Sequence, residues 1–60
     1  MTKEENINYL TLRGEECRLP EEDLNKIKNK LKELTDEDYD HLKRISEPAF
    51  RTWCKEACSS

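Results

Sequence analysis

Between Pro20 and Tyr39 the chain reads PEEDLNKIKNKLKELTDEDY, and the punctuation of this stretch leaves room for little except two short helices meeting at a tight corner. Pro20 suits a first helical turn, where its missing N–H has no partner to lose. Glu21, Glu22 and Asp23 then fall at the positive end of the helix dipole. Leu24, Ile27, Leu31 and Leu34 recur at helical spacing, with lysines and asparagines between them, which predicts an amphipathic helix over residues 20–34. Thr35 reads as the N-cap of the next helix. Asp38 completes a capping box three residues on, and Leu34 against Tyr39 makes a hydrophobic staple. Tyr39, Leu42 and Ile45 share a face, so residues 36–45 form the second helix. A third is expected over 47–58: Ser46 can cap it, Pro48 turns Glu47 away from helical angles, and Phe50, Trp53, Cys54 and Ala57 make its apolar stripe.

Two foldings compete for residues 1–19. In YLTLRGEECRL a two-residue turn at Gly14-Glu15 pairs Arg13 with Glu16, Leu12 with Cys17 and Leu10 with Leu19. That register puts Leu10, Leu12, Cys17 and Leu19 on one face of a β-hairpin. The rival is a helix over about residues 3–13, opened by a Thr2-x-x-Glu5 capping box and closed by Gly14. Ile7, Tyr9, Leu10 and Leu12 scatter around a helical wheel, so the hairpin is the preferred reading.

The expected fold is therefore mainly α, one small domain over residues 1–60, with three short helices and an N-terminal hairpin; the alternative is an all-α domain of four short helices. Its core is expected from Leu10, Leu12, Leu19, Leu24, Ile27, Leu31, Leu34, Tyr39, Leu42, Ile45, Phe50 and Trp53. With 60 residues, 33% of them hydrophobic and 42% charged, the chain is close to the lower limit for folding unaided, and a second copy or another partner could complete the core. A catalytic cleft between subdomains has no room, so no enzyme activity is expected. No apolar run approaches the length of a membrane span, and Met1-Thr2-Lys3 leads into Glu4 and Glu5, not a signal-peptide core, so a cytoplasmic protein is expected.

Charge is unevenly placed. Residues 1–40 hold 7 Lys and Arg against 12 Asp and Glu, and residues 41–60 hold 4 against 2. The stretch ISEPAFRTWCKEA, residues 45–57, resembles the helix-turn-helix of MerR-type and phage-excisionase DNA-binding proteins, whose pattern runs Val-Ser-x-x-Thr-Leu-Arg-x-Trp/Tyr-x-x-x-Gly. Ile45 and Ser46 match its start, Phe50 its apolar position, Arg51 its arginine and Trp53 its aromatic. The resemblance implies that Glu47, Arg51, Thr52 and Lys55 face a DNA groove, with Lys43 and Arg44 near phosphate. It departs from the family in three places. Arg44 stands where the family's turn often has glycine, Ala57 replaces the terminal glycine, and Asp36, Glu37, Asp38 and Asp40 open the supporting helix with the charge that phosphate repels. The plainer reading is a core-closing helix with a solvated Arg/Lys face.

Three cysteines and one histidine offer a minor zinc set, Cys17, His41, Cys54 and Cys58, but no tight Cys-x2-Cys pair is present. A disulfide from Cys17 to Cys54 or Cys58 is a similarly minor alternative, and the plainer reading packs Cys17 and Cys54 as small hydrophobes. His41 has no nucleophile beside it in sequence, and one glycine cannot build a phosphate loop. No cofactor is expected. The functional expectation is a small regulator that binds a partner protein, of the modulator or inhibitor kind carried by phages and mobile elements. The alternative is a DNA-binding regulator using the 47–58 helix.

Overall fold

A computed structural model of the chain, which describes residues 2–59, contains four α-helices: α1 (Lys3–Glu16), α2 (Glu21–Leu31), α3 (Asp36–Arg44) and α4 (Glu47–Ser59). Met1 and Ser60, the outermost residues of the expected 1–60 domain, lie outside the described residues. The all-α alternative is thus the observed one, and the hairpin over residues 1–19 is replaced by α1. The Thr2 side chain accepts the Glu5 N–H at 3.2 Å and Glu5 returns the bond by accepting the Thr2 N–H at 3.1 Å. This local start outweighs the scattered apolar pattern that favoured strands, because each bond satisfies an otherwise orphaned helix-end donor.

Gly14 does not end the helix. It lies buried inside α1, and an added Cβ would stand 3.0 Å from Leu24 Cδ2, so its missing side chain lets α2 approach. The chain leaves α1 at Arg18 instead, which takes a left-handed conformation at φ 61°. Arg18 N–H donates to Glu15 O at 2.9 Å and Leu19 N–H to Gly14 O at 3.5 Å. These are the paired bonds of a Schellman motif, with arginine in the place usually held by glycine.

The expected 20–34 helix stops at Leu31, and a tighter turn with Leu34 N–H donating to Leu31 O at 3.2 Å carries the chain to Thr35. The second capping box forms as its sequence predicts: Asp38 N–H reaches Thr35 Oγ1 at 3.4 Å, and Thr35 N–H reaches Asp38 Oδ2 at 3.2 Å. At the open end of α2, the buried Tyr39 hydroxyl donates to Leu31 O at 2.6 Å. Burial, aided by Asp36 and Asp38, raises the Tyr39 pKa above the ordinary 10.0.

α1 packs against α2 and α3, and α4 lies against α2. The core between them consists of Leu10, Cys17, Ile27, Leu31, Tyr39, Leu42, Phe50 and Cys54, with Ile7, Leu19, Leu34, Ile45, Trp53 and Cys58 packed around it. Leu12, expected inside, is 58% exposed, since a helix turns residues 10 and 12 to different sides where a strand would align them. The radius of gyration is 10.3 Å, which matches the roughly 10 Å of a fully packed chain of this length. No helix among the described residues is long and apolar enough to cross a membrane.

Candidate functional site

The six residues that are candidates for binding a partner or DNA, Lys43, Arg44, Glu47, Arg51, Thr52 and Lys55, lie around the α3–α4 corner but do not form one free face. Lys43 is drawn back onto α1: its ammonium donates to Asn6 Oδ1 and lies 5.7 Å from the centroid of the Tyr9 ring. Glu47 accepts from the Cys17 thiol at 3.8 Å, and Arg51 Nη2 stands 3.5 Å from Cys17 O. Arg44, Thr52 and Lys55 are exposed. α4 itself is a core helix through Phe50 and Cys54, whose stripe the sequence predicts.

The minor zinc set is not assembled, because His41 stands apart from its cysteines. His41 is exposed on α3 while Cys17 and Cys54 are buried. Among the described residues no group of three or more His, Cys, Asp or Glu could hold a metal ion, and all three cysteines are free. Burial, reinforced by the neighbouring Cys17 and Cys58, pushes the Cys54 thiol up to about 12. Burial and Asp23 also raise the Cys58 thiol, whose sulfur donates to Asp23 O at 3.7 Å. Thiols held protonated in this way are packing groups and poor nucleophiles.

Arg13 is the residue that sequence reasoning placed wrongly. The hairpin register gave it Glu16 as a partner; in the fold it is half-buried, and its guanidinium donates to the carbonyls of Leu42 and Ile45 at the open end of α3. It is thereby a long-range helix cap. Its only sequence signal is a cation standing among Leu10, Leu12 and Gly14.

The surface with unassigned character is the outer face of α1. Tyr9 is 48% and Leu12 58% exposed, and among the described residues they are the large hydrophobics that the fold leaves in solvent. At 100° per residue, Glu5, Tyr9, Leu12 and Glu16 form one row along the helix, roughly 16 Å from end to end. Glu4, Asn8 and Glu15 lie beside it, all exposed. Between Glu4 and Glu16 the only cation in α1 is Arg13, and it is turned inward to α3. The result is an apolar pair with Glu5 and Glu16 at its ends and Glu15 beside it, while Glu4 lines the groove shared with Lys3, Lys28 and Lys32. The signal was present in the sequence as the second apolar face that made Ile7, Tyr9, Leu10 and Leu12 scatter on the wheel.

The second half of α2 and the residue that follows it carry the opposite charge. Lys26, Lys28, Lys30 and Lys32 are all exposed, with Asn25 and Asn29 among them. Lys28 and Lys32 join Lys3, Glu4, Ile7 and Asn8 around an open groove of about 680 Å³ between α1 and α2. Lysines in the last turns of a helix also offset its dipole, which accounts for their position without a ligand.

Comparison with protein-family models, with curated protein sequences and with solved structures finds no match to this chain.

Proposed function

We propose that this chain is a non-enzymatic regulatory protein that acts by docking a partner protein on the outer face of α1. The observation that carries the reading is the exposure of Tyr9 and Leu12 one turn apart on a helix whose other side is already committed to the core. Monomeric surfaces expose single hydrophobics freely, but an aromatic and an aliphatic side chain in one row are the anchors from which binding hot spots are made. The protonated Cys54 and Cys58 thiols and the solitary, exposed His41 give no support to a catalytic role.

The test is site-specific photocrosslinking in the source cells, with benzoylphenylalanine placed at position 12 or, for comparison, at position 52 on α4. A discrete protein adduct from position 12, absent from position 52 and lost on adding Tyr9→Ser, is expected. Protein adducts from position 52 alone would transfer the role to α4.

A second reading, DNA binding at the α3–α4 corner, is favoured by the exposure of Arg44, Thr52 and Lys55 on either side of a two-residue connection. It is weaker, because Glu47, Arg51 and Lys43 are engaged within the molecule. A salt-dependent anisotropy titration with random duplex DNA decides it; absence of binding at about 50 mM salt removes the reading.

A further inference from the structure

We infer that the partner segment received by α1 is a cationic amphipathic helix, with two apolar residues flanked on both sides by Lys or Arg. The inference rests on the docking role proposed for this face and specifies its chemistry. The row Glu5, Tyr9, Leu12, Glu16 has spacings of four, three and four residues, so it reads the same in either direction. A partner helix therefore meets it in parallel or antiparallel orientation with the pattern cation-x3-apolar-x2-apolar-x3-cation. The apolar residues pack beside Tyr9 and Leu12 while each terminal cation reaches a glutamate. Glu15 extends the negative field on one flank, beyond which Glu4 meets the lysines of the α1–α2 groove. On the other, Lys43 is occupied by Asn6 and the Tyr9 ring, which fixes that ring at the edge of the row.

Charge also selects among occupants. A second copy lying antiparallel on the same face sets Glu5 against Glu16 in both directions, and a parallel copy sets each glutamate against itself. Like charges opposed across an interface disfavour either pairing. The chain's own lysine-bearing stretch, the second half of α2, cannot serve, because Ile27 and Leu31 are wholly buried in its own core. An acidic partner meets Glu5 and Glu16 at both ends of the row and Glu15 beside it. A cationic helix is the occupant that satisfies both the apolar pair and its frame.

The experiment is an NMR titration of the isotopically labelled full chain with two alanine-based helical peptides. Both carry leucines at the two central positions; one has lysine and the other glutamate at the flanking positions. The lysine peptide is expected to shift the amides of Glu5, Tyr9, Leu12 and Glu16, with affinity falling about fivefold or more between about 50 and about 500 mM salt. Glu5→Gln/Glu16→Gln, in which glutamine keeps the capping box, should weaken that peptide and leave the fold unchanged. Equal or tighter binding of the glutamate peptide overturns the inference while leaving α1 as the docking face. Shifts confined to α2 or α4, or no loss of binding in Tyr9→Ser/Leu12→Ser, overturn the docking role itself. If neither peptide binds, the cationic-helix inference fails, and the crosslink from position 12 judges the docking role alone.

Discussion

The guanidinium carbon of Arg13 lies 4.9 Å from the ring centroid of Phe50, and this stacking aims the arginine at the end of α3. The same group donates to Leu42 O and Ile45 O, carbonyls that the helix leaves without partners. One residue thus ties α1, α3 and α4 together. Hydrogen bonds from a charged donor contribute about 1.5–3 kcal/mol each, in a domain whose whole stability is roughly 3–5 kcal/mol. Arg13→Met should therefore cost about 2–4 kcal/mol, and Arg13→Lys about half as much, since an ammonium lacks the planar fork that reaches both carbonyls. Urea unfolding at constant slope measures this. A midpoint for Arg13→Met near that of the parent would show that the clip is decorative.

Arg18 holds the left-handed turn at φ 61°, a conformation that costs a side-chain-bearing residue about 1–2 kcal/mol and glycine almost nothing. The bonds from Arg18 N–H and Leu19 N–H keep it there, and glycine makes both equally well. Allowing for glycine's greater freedom in the unfolded chain, Arg18→Gly should stabilise the protein by about 0.5–1 kcal/mol. Thermal unfolding checks the sign. A lowered melting temperature would mean that the arginine side chain contributes more than its backbone strain costs.

Four residues earlier the preference reverses. Gly14 is helical, where alanine is favoured by about 1 kcal/mol, but a Cβ there stands 3.0 Å from Leu24 Cδ2. That atom is the end of a flexible, half-buried side chain near the start of α2, so it can give way. Gly14→Ala should be neutral to mildly stabilising, by at most about 0.5 kcal/mol after the adjustment of Leu24. Gly14→Leu has no such outlet and should destabilise by about 1–3 kcal/mol through overpacking. Equal effects of the two substitutions would mean that α1 and α2 are not in close register here.

These positions also show where sequence reasoning reached its limit. Helices α2 and α3 were legible because their signals are local: Pro20, the Thr35–Asp38 box and one apolar stripe each. Helix α1 was not, because its apolar residues serve two faces. Ile7 and Leu10 turn toward the core while Tyr9 and Leu12 turn away, and a glycine in mid-chain imitated a hairpin turn. Arginine at a left-handed position gives no sequence signal, and neither does Arg13 reaching carbonyls some thirty residues ahead. For the candidate site, the sequence drew attention to the Arg/Lys face of α4. Glu47 and Arg51 are instead turned to Cys17, and the row on α1 was hidden in the pattern that argued against a helix.

Alkaline pH should weaken the fold. Burial raises the Cys54 thiol from 9.0 to about 12, and Tyr39 and Cys58 move in the same direction, also through burial. The folded state holds these protons more tightly, so the unfolded chain ionises first as pH rises. The stability they contribute is complete below about pH 9 and is lost as pH climbs toward about 12. The urea midpoint should fall between pH 8 and pH 10, and Cys54→Ala should fall less steeply than the parent over the same interval. A midpoint independent of pH across this window would contradict the buried, neutral thiol.

Leu10 and Leu12 separate folding from docking within a single turn of α1. Leu10 is wholly buried, while Leu12 is 58% exposed. Leu10→Ala should cost about 2–5 kcal/mol through the lost transfer energy and the cavity left behind, enough to unfold most of a domain this small. Leu12→Ser should stay within about 0.5 kcal/mol of the parent, as surface changes generally do. Tyr9→Ser should cost at most about 1 kcal/mol, since Lys43 loses the ring beneath it but keeps Asn6. Circular dichroism melts of the three variants, set beside the crosslinking yield from α1, test this division. The expected pattern is loss of the adduct with an intact melt in Tyr9→Ser, and loss of the melt itself in Leu10→Ala. If Leu12→Ser melts as low as Leu10→Ala, the outer row is part of the core and α1 has no free face to offer a partner.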